Sequence, residues 1–285
     1  MSEINWQKLH LIAQETAINT GRYIQSEAHK THKNLGKVAG TSASSQALTQ
    51  IDLNADAMIR EALEGSTKEY SIGLLTEESK DDATRFHCDY FWCVDPLDGT
   101  YSFLHQEAGY AVSIALVAKD GSPVMGYIFD CVYDQLFYAC IPLEIKSPIL
   151  PTNKSNTFKW FLDRSMTKQV DYKYWASQVE ILAEKLGYSS MEQHIGMGAA
   201  TNAIHTISSP NAIYFKTPKD SPGGGSLWDF AASSAIAKMH DAHVSSFNGT
   251  PLNLNQKELF MNQTGVFFAQ NNTANTFLLV QDKAY

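Results

Sequence analysis

The sequence predicts an α+β first half, residues 1–150, followed by a smaller α/β half, residues 151–285. Three observations carry that reading. Two segments of helical period open the chain, strand-like segments with a hairpin signal follow, and beyond a proline-rich joint helix and strand patterns alternate. With 285 residues, 44 % hydrophobic and only 18 % charged, the chain can fill a sizeable core and is too apolar for disorder.

Residues 4–26 read as the opening helix, because Leu9, Ile12, Ala13, Thr16, Ala17 and Ile24 recur on one side. The polar stretch Thr31–Ser45, with Gly36 and Gly40, reads as a mobile loop; its position ahead of Asp52 makes it a candidate lid. A second helix begins near Asp52, with Ile51, Ala55, Met58, Ile59, Ala62 and Leu63 as its apolar face. From residue 70 the period changes. Ser71–Leu75 and Tyr90–Val94 read as strands that run into Thr76-Glu77-Glu78-Ser79 and Asp95-Pro96-Leu97-Asp98-Gly99-Thr100. Gly109–Ala118, Pro123–Val132 and Gln135–Ile141 read as an antiparallel meander, its first pair joined by the turn Lys119-Asp120-Gly121-Ser122.

Pro142, Pro148 and Pro151, followed by Asn153-Lys154-Ser155-Asn156, mark the expected domain boundary. Beyond it, helices are expected at 172–187, 197–208 and 228–240, and strands at 212–217 and 265–270. The run Gly223-Gly224-Gly225 reads as a close approach to a helix N-terminus.

Several function classes fall away on composition. The 22 basic and 30 acidic residues give a net charge of −8, which excludes a phosphate-tracking binder of nucleic-acid polymers. No apolar run approaches the roughly 20 residues of a membrane span. The N-terminus, MSEINWQKLHLIAQETA, has no basic segment leading into a continuous apolar stretch, so no signal peptide is expected. Cys88, Cys93, Cys131 and Cys140 form no CxxC pair. The last three read as buried free thiols, and the expected location is the reducing cytoplasm.

The chemistry is expected where acids follow strands. Asp95 and Asp98 flank Pro96-Leu97, and the fixed φ of Pro96 suggests a sharp turn that aims two carboxylates and the Leu97 carbonyl at one point. Hard cations such as Mg2+ take such oxygens. The N–H groups at Gly99-Thr100 are suited to a phosphate. Of the adjacent pair Glu77 and Glu78, one reads as a ligand and the other as a solvated group. Asp229 opens a helix behind Trp228, where its charge favours the dipole even without a metal. Singly, each feature is ordinary turn or cap chemistry.

Together, Asp52, Thr76-Glu77-Glu78-Ser79, Asp95-Pro96-Leu97-Asp98-Gly99-Thr100 with Phe103, and Trp228-Asp229 resemble the inositol monophosphatase superfamily of Mg2+-dependent, lithium-sensitive phosphatases. The resemblance implies a layered αβαβα sandwich of the sugar-phosphatase type and two or three Mg2+ ions. It implies that Glu77, Asp95 and the Leu97 carbonyl hold one ion, and that Asp95, Asp98 and Asp229 hold a second. Glu77 would also touch a third. Asp52 and the Thr100 hydroxyl would form a hydrogen-bonded pair that orients and helps deprotonate the attacking water, and the Gly99 and Thr100 amides would receive the phosphate.

Where inositol monophosphatases carry an acid that binds inositol hydroxyls, this chain has Lys216, which suits a second phosphate. With Gly196–Asn202, this resembles the 3′(2′),5′-bisphosphate nucleotidase branch. Lys219 and the Gly223–Gly225 amides are further anion contacts. The expected substrate is a small phosphorylated metabolite, adenosine 3′,5′-bisphosphate first, with inositol, fructose 1,6-bisphosphate or histidinol phosphates as alternatives. A catalytically silent metabolite binder is the rival from another class. The family includes monomers and homodimers. One departure is Met239-His240-Asp241-Ala242-His243, where the family usually has glycines; the two histidines read as the cationic end of a helix.

Overall fold

The computed structural model describes residues 3–28, 34–36, 47–149 and 155–281. The candidate lid lies mostly outside these residues, as does the stretch 150–154 at the expected boundary. The described elements run α1 (Trp6–Glu27), β1 (Asn34–Gly36), β2 (Ala47–Thr49), α2 (Gln50–Tyr70), β3 (Gly73–Thr76), β4 (Tyr90–Asp98), α3 (Thr100–Leu104), β5 (Ala111–Ala118), β6 (Pro123–Asp130), β7 (Gln135–Cys140) and β8 (Ile145–Lys146). They continue with β9 (Thr157–Leu162), α4 (Tyr172–Lys185), β10 (Ser190–Ile195), α5 (Ala199–Ile207), β11 (Ala212–Lys216), α6 (Leu227–Met239), β12 (Ala242–Ser245), β13 (Val266–Gln270) and α7 (Asn271–Gln281).

Three apolar clusters stack these elements into five layers. The first joins α1 and α2 (Leu9, Ala13, Ile59, Leu63) to one face of the first sheet at Trp92, Val94, Ile114 and Tyr127. The other face of that sheet, at Phe91, Cys93, Ala115 and Ile128, packs on α5 and α6, which pack in turn on Phe161, Tyr214 and Phe268 of the second sheet. The far face of the second sheet, at Trp160, Phe215 and Phe267, is covered by Trp175 and Val179 of α4 and Phe277 of α7. The result is an αβαβα sandwich, as the resemblance implies. The central strands of both sheets are buried on both faces, which is why β5, β11 and β13 read as apolar runs rather than alternating patterns.

The first sheet has the order β3-β4-β5-β6-β7-β8. Within it β5, β6 and β7 form the expected antiparallel meander, β4 and the unpredicted β8 extend it antiparallel on either side, and β3 pairs with β4 in parallel. The turn at 119–122 closes as expected, with Gly121 N–H donating to the Ala118 carbonyl at 2.8 Å. The second sheet, β10-β9-β11-β13-β12, is mixed. Its strands β9, β10 and β12, together with α7 and the short β1–β2 pair, have no counterpart in the sequence reading. Thr157-Phe158-Lys159-Trp160-Phe161-Leu162 alternates and is β-rich, a signal that would have found the central β9.

Two expectations are corrected. The predicted turn at Asp95–Asp98 is strand: β4 runs through Asp98, with a register shift against β5 between Asp95 and Asp98. Pro96 sits in that irregularity, where its missing N–H costs no ladder bond. The chain reverses one residue later, at Gly99 (φ +83°). The histidines do not share a helix end. Helix α6 stops at Met239, Asp241 takes φ +53°, and His243 belongs to β12. Aspartate tolerates that left-handed conformation, which explains an exit without glycine. Burial holds both imidazoles below their ordinary value, so neither is a cation complementing the dipole.

Candidate active site

The site forms where β4 outruns its neighbour. Strand β3 pairs with β4 only as far as Thr76 opposite Val94, so residues 95–98 project past it. Asp95 and Asp98 are nearly fully buried there, and Asp229 reaches the same point from the first turn of α6. One carboxylate oxygen from each lies within 4.8 Å of the others.

Each acid is held by backbone N–H groups. Asp95 Oδ1 accepts from Leu97 N at 3.1 Å, and Asp229 Oδ2 accepts from Ser226 N at 2.6 Å; Ser226, not the expected Trp228-Asp229, is the N-cap, and Asp229 is the N3 partner of its capping box. Asp98 accepts from Ala199 N at 3.0 Å and Ala200 N at 2.8 Å, at the start of α5. A Cβ on Gly198 would overlap that carboxylate. The glycine-rich lead-in of α5 is therefore a seat for Asp98. An ionised carboxylate has about four lone-pair directions, so these bonds leave oxygens able to bind a cation.

The electrostatics point the same way. Burial, then repulsion from Glu77, Asp98 and Asp229, raises Asp95 well above the usual carboxylate range. Burial and the Asp229 charge push Asp98 up to about 8. Asp229 rises to about 6 through burial, moderated by the nearby Lys216 ammonium. Converging buried oxygens that repel one another fit a hard divalent cation, whose charge would relieve all three. Glu77 follows β3 and raises Asp95 by its charge but stands outside the 4.8 Å group.

Asp52 is buried in the first turn of α2, which Trp92 ties to β4 through a 3.0 Å hydrogen bond to Ser66 Oγ. Thr100 Oγ1 donates to the Leu97 carbonyl at 3.1 Å. Gly99 precedes it in a conformation glycine favours, where a Cβ would also strike the Gly109 carbonyl.

Lys216 is corrected in one respect. It is neither a solvated lysine nor an unengaged cation, because Asp163 at the end of β9 forms an ion pair with its ammonium. Asp163 also accepts from Tyr214 Oη at 3.2 Å and Asn202 Nδ2 at 3.3 Å. Burial pulls the Lys216 pKa down, but Asp163, then Asp229 and Asp98, outweigh it and the net shift is upward. Lys219 moves the other way, lowered by burial and by Lys216. Both lysines, with Asp163, Ser165, Thr217 and Gly224, line one small cavity. Sequence reasoning missed Asp163; an acid ending an apolar strand, the signal used for Asp95, was present at Phe161-Leu162-Asp163.

A family model for the inositol monophosphatase family matches residues 5–281. The chain belongs to that family. It is thereby a member of a family of metal-dependent phosphatases, and its relatives agree. It is 28 % identical over 225 residues to the 3′(2′),5′-bisphosphate nucleotidase CysQ of Salmonella typhimurium, covering 75 % of this chain and 82 % of that protein. It is 27 % identical over 135 residues to the inositol-1-monophosphatase of Bacillus subtilis, covering 47 % and 48 %. The extragenic suppressor protein suhB from Bartonella henselae superposes with a TM-score of 0.70 at 18 % identity, covering 95 % of this chain and 97 % of that one. At that identity the likeness shows the fold alone. Among the described residues no helix is long and apolar enough to cross a membrane.

Proposed function

We propose that the chain hydrolyses a small phosphate monoester with Mg2+, and that its preferred substrate is adenosine 3′,5′-bisphosphate, cleaved at the 3′-phosphate. The convergence of Asp95, Asp98 and Asp229 carries the reading. These three, with Glu77 and the Leu97 carbonyl, would hold the ions. When bound, such ions neutralise the phosphate and make a water molecule more acidic. Asp52 would take the proton of an attacking water that the Thr100 hydroxyl helps to orient, the phosphorus–ester oxygen bond would break as the new one forms, and the leaving oxygen would take a proton from a second water. The Gly99 and Thr100 amides receive the phosphate oxygens, and the departing alcohol leaves protonated.

The bisphosphate preference rests on Lys216 and Lys219. Two ammonium groups share the single carboxylate of Asp163 around one cavity, which leaves net positive charge for a second phosphate. The CysQ likeness supports the same substrate. The division at residue 150 belongs to this proposal: the first half supplies every metal ligand except Asp229, the second half every substrate cation. Four free cysteines fit a reducing cytoplasm.

The deciding assay is phosphate release with Mg2+ from adenosine 3′,5′-bisphosphate, inositol 1-phosphate and fructose 1,6-bisphosphate, with and without lithium. Preference for the nucleotide is expected. Preference for inositol phosphate would leave the metal chemistry standing and remove the lysines from substrate selection. No Mg2+-dependent turnover of any ester would favour a silent metabolite binder.

A further inference from the structure

The residue that follows the proposed phosphate cradle is held in an unusual way. Tyr101 has the His105 ring stacked 3.9 Å from its centre at 17° and the Arg164 guanidinium carbon 4.1 Å from it. Two groups so close to one ring centre occupy opposite faces. Arg164, just beyond the end of β9, forms an ion pair with Glu107. Its guanidinium also lies against Gly196, where a Cβ would come within 2.8 Å of Nη2 and 2.9 Å of Cζ. Gly196 has φ +109°, so glycine is required there on both counts. The layers therefore run Gly196, Arg164, Tyr101, His105.

This stack grips the segment that begins with the cradle. Ser102 Oγ donates to the Gly196 carbonyl at 2.8 Å, and Gly198 N donates to the Gly109 carbonyl at 2.8 Å. Both ends of the 100–109 excursion are thus pinned to the lead-in of α5, and Arg164, just past β9, reaches into the stack from the second half of the molecule. The excursion has just five helical residues, too few to hold its own shape.

We infer that Arg164 is a positioning residue: through Tyr101 it fixes the backbone of Gly99 and Thr100 against the second half of the molecule. The inference rests on the proposed role of Gly99 and Thr100 in holding phosphate and water. Arg164 touches no reacting atom. It acts by planar stacking combined with a bidentate-capable fork, which lysine does not reproduce.

The test compares wild type, Arg164→Lys, Arg164→Ala and Asp95→Asn by steady-state phosphate release and by amide hydrogen exchange. For both Arg164 variants kcat should fall about 10- to 100-fold, the scale of a small misplacement of a reacting group. KM should stay within about twofold, and exchange should quicken at 100–107 while β4 and β5 stay protected. Faster exchange with unchanged kcat would overturn the inference, as would full rescue by lysine. A raised KM with intact kcat would make Arg164 a substrate contact instead. Asp95→Asn separates the two readings. If it retains turnover, the site assignment itself fails; if it is inactive while both Arg164 variants work normally, only the positioning role fails.

Discussion

The two sheets contribute to the site in different ways. Apart from Glu77 after β3, the first sheet brings its candidate residues in one contiguous stretch, because β4 runs past β3 and carries Asp95, Leu97 and Asp98 straight into Gly99 and Thr100. The second sheet delivers single residues from separate strand ends: Asp163 and Arg164 after β9, Lys216 from β11, and Lys219 beyond it. Between them, α5 and α6 hold Asp98 and Asp229 by their first turns. The proposed metal ligands therefore fall mostly in short contiguous motifs, whereas the proposed substrate contacts come from separate strand ends.

That contrast is most severely tested at Asp95. Asp95→Asn should lower Mg2+-dependent turnover about 100-fold or more. The metal-free protein should melt higher at neutral pH, because the fold no longer has to bury a carboxyl that desolvation and its neighbours' charges penalise. Normal turnover would show that the first sheet does not hold the metal. The joint between the sheets is probed by Gly198→Ala. Its new methyl group overlaps the Asp98 carboxylate, so either Asp98 or the start of α5 must move. Turnover should drop about 10- to 100-fold through misplacement of one ligand, with a lower melting temperature. An unchanged enzyme would mean that Asp98 need not sit on α5.

The second sheet is addressed by Lys219→Met, which keeps the stem and removes the charge. KM for adenosine 3′,5′-bisphosphate should rise about tenfold, the worth of one charge-assisted hydrogen bond, while KM for a simple monophosphate stays put. Equal shifts would assign Lys219 to structure. Lys216 is the poorer choice, since removing it strands Asp163 in a buried place.

The smallest effect is a pH dependence. Asp98 at about 8 and Asp229 at about 6 lie above the ordinary 3.8, so the native metal-free cluster binds more protons than the unfolded chain between about pH 4 and 8. Its contribution to stability therefore declines as pH rises through that window. A cation displaces those protons, so the rise in melting temperature on adding Mg2+ should be larger at pH 8 than at pH 5.5. Comparing with and without Mg2+ cancels the histidines, whose lowered values act in the opposite direction. A larger gain at the lower pH would remove the carboxylates as the cation's ligands.

Much of this was readable before any coordinates. The opening helices, the meander and its Asp-Gly turn follow from local period and turn chemistry, which are properties of a few neighbouring residues. The strand β10 was not, because Ser190-Met191-Glu192-Gln193-His194-Ile195 is polar and partly exposed at a sheet edge, and only pairing with β9 makes it a strand. The Asp95–Asp98 stretch was misjudged for a related reason. Pro96 argues for a turn locally, yet continued pairing with β5 keeps the chain extended.

By itself the sequence determined the family, the layered α/β character and the acids proposed to carry the chemistry, since each is encoded in short stretches whose spacing is fixed by local geometry. Only the tertiary structure decided that Asp98 rests on the first turn of α5, that Asp163 already engages Lys216, and that Arg164 stacks on Tyr101. These contacts join residues roughly 50 to 100 positions apart. Packing of two sheets against shared helices sets them, and no periodicity along the chain records it.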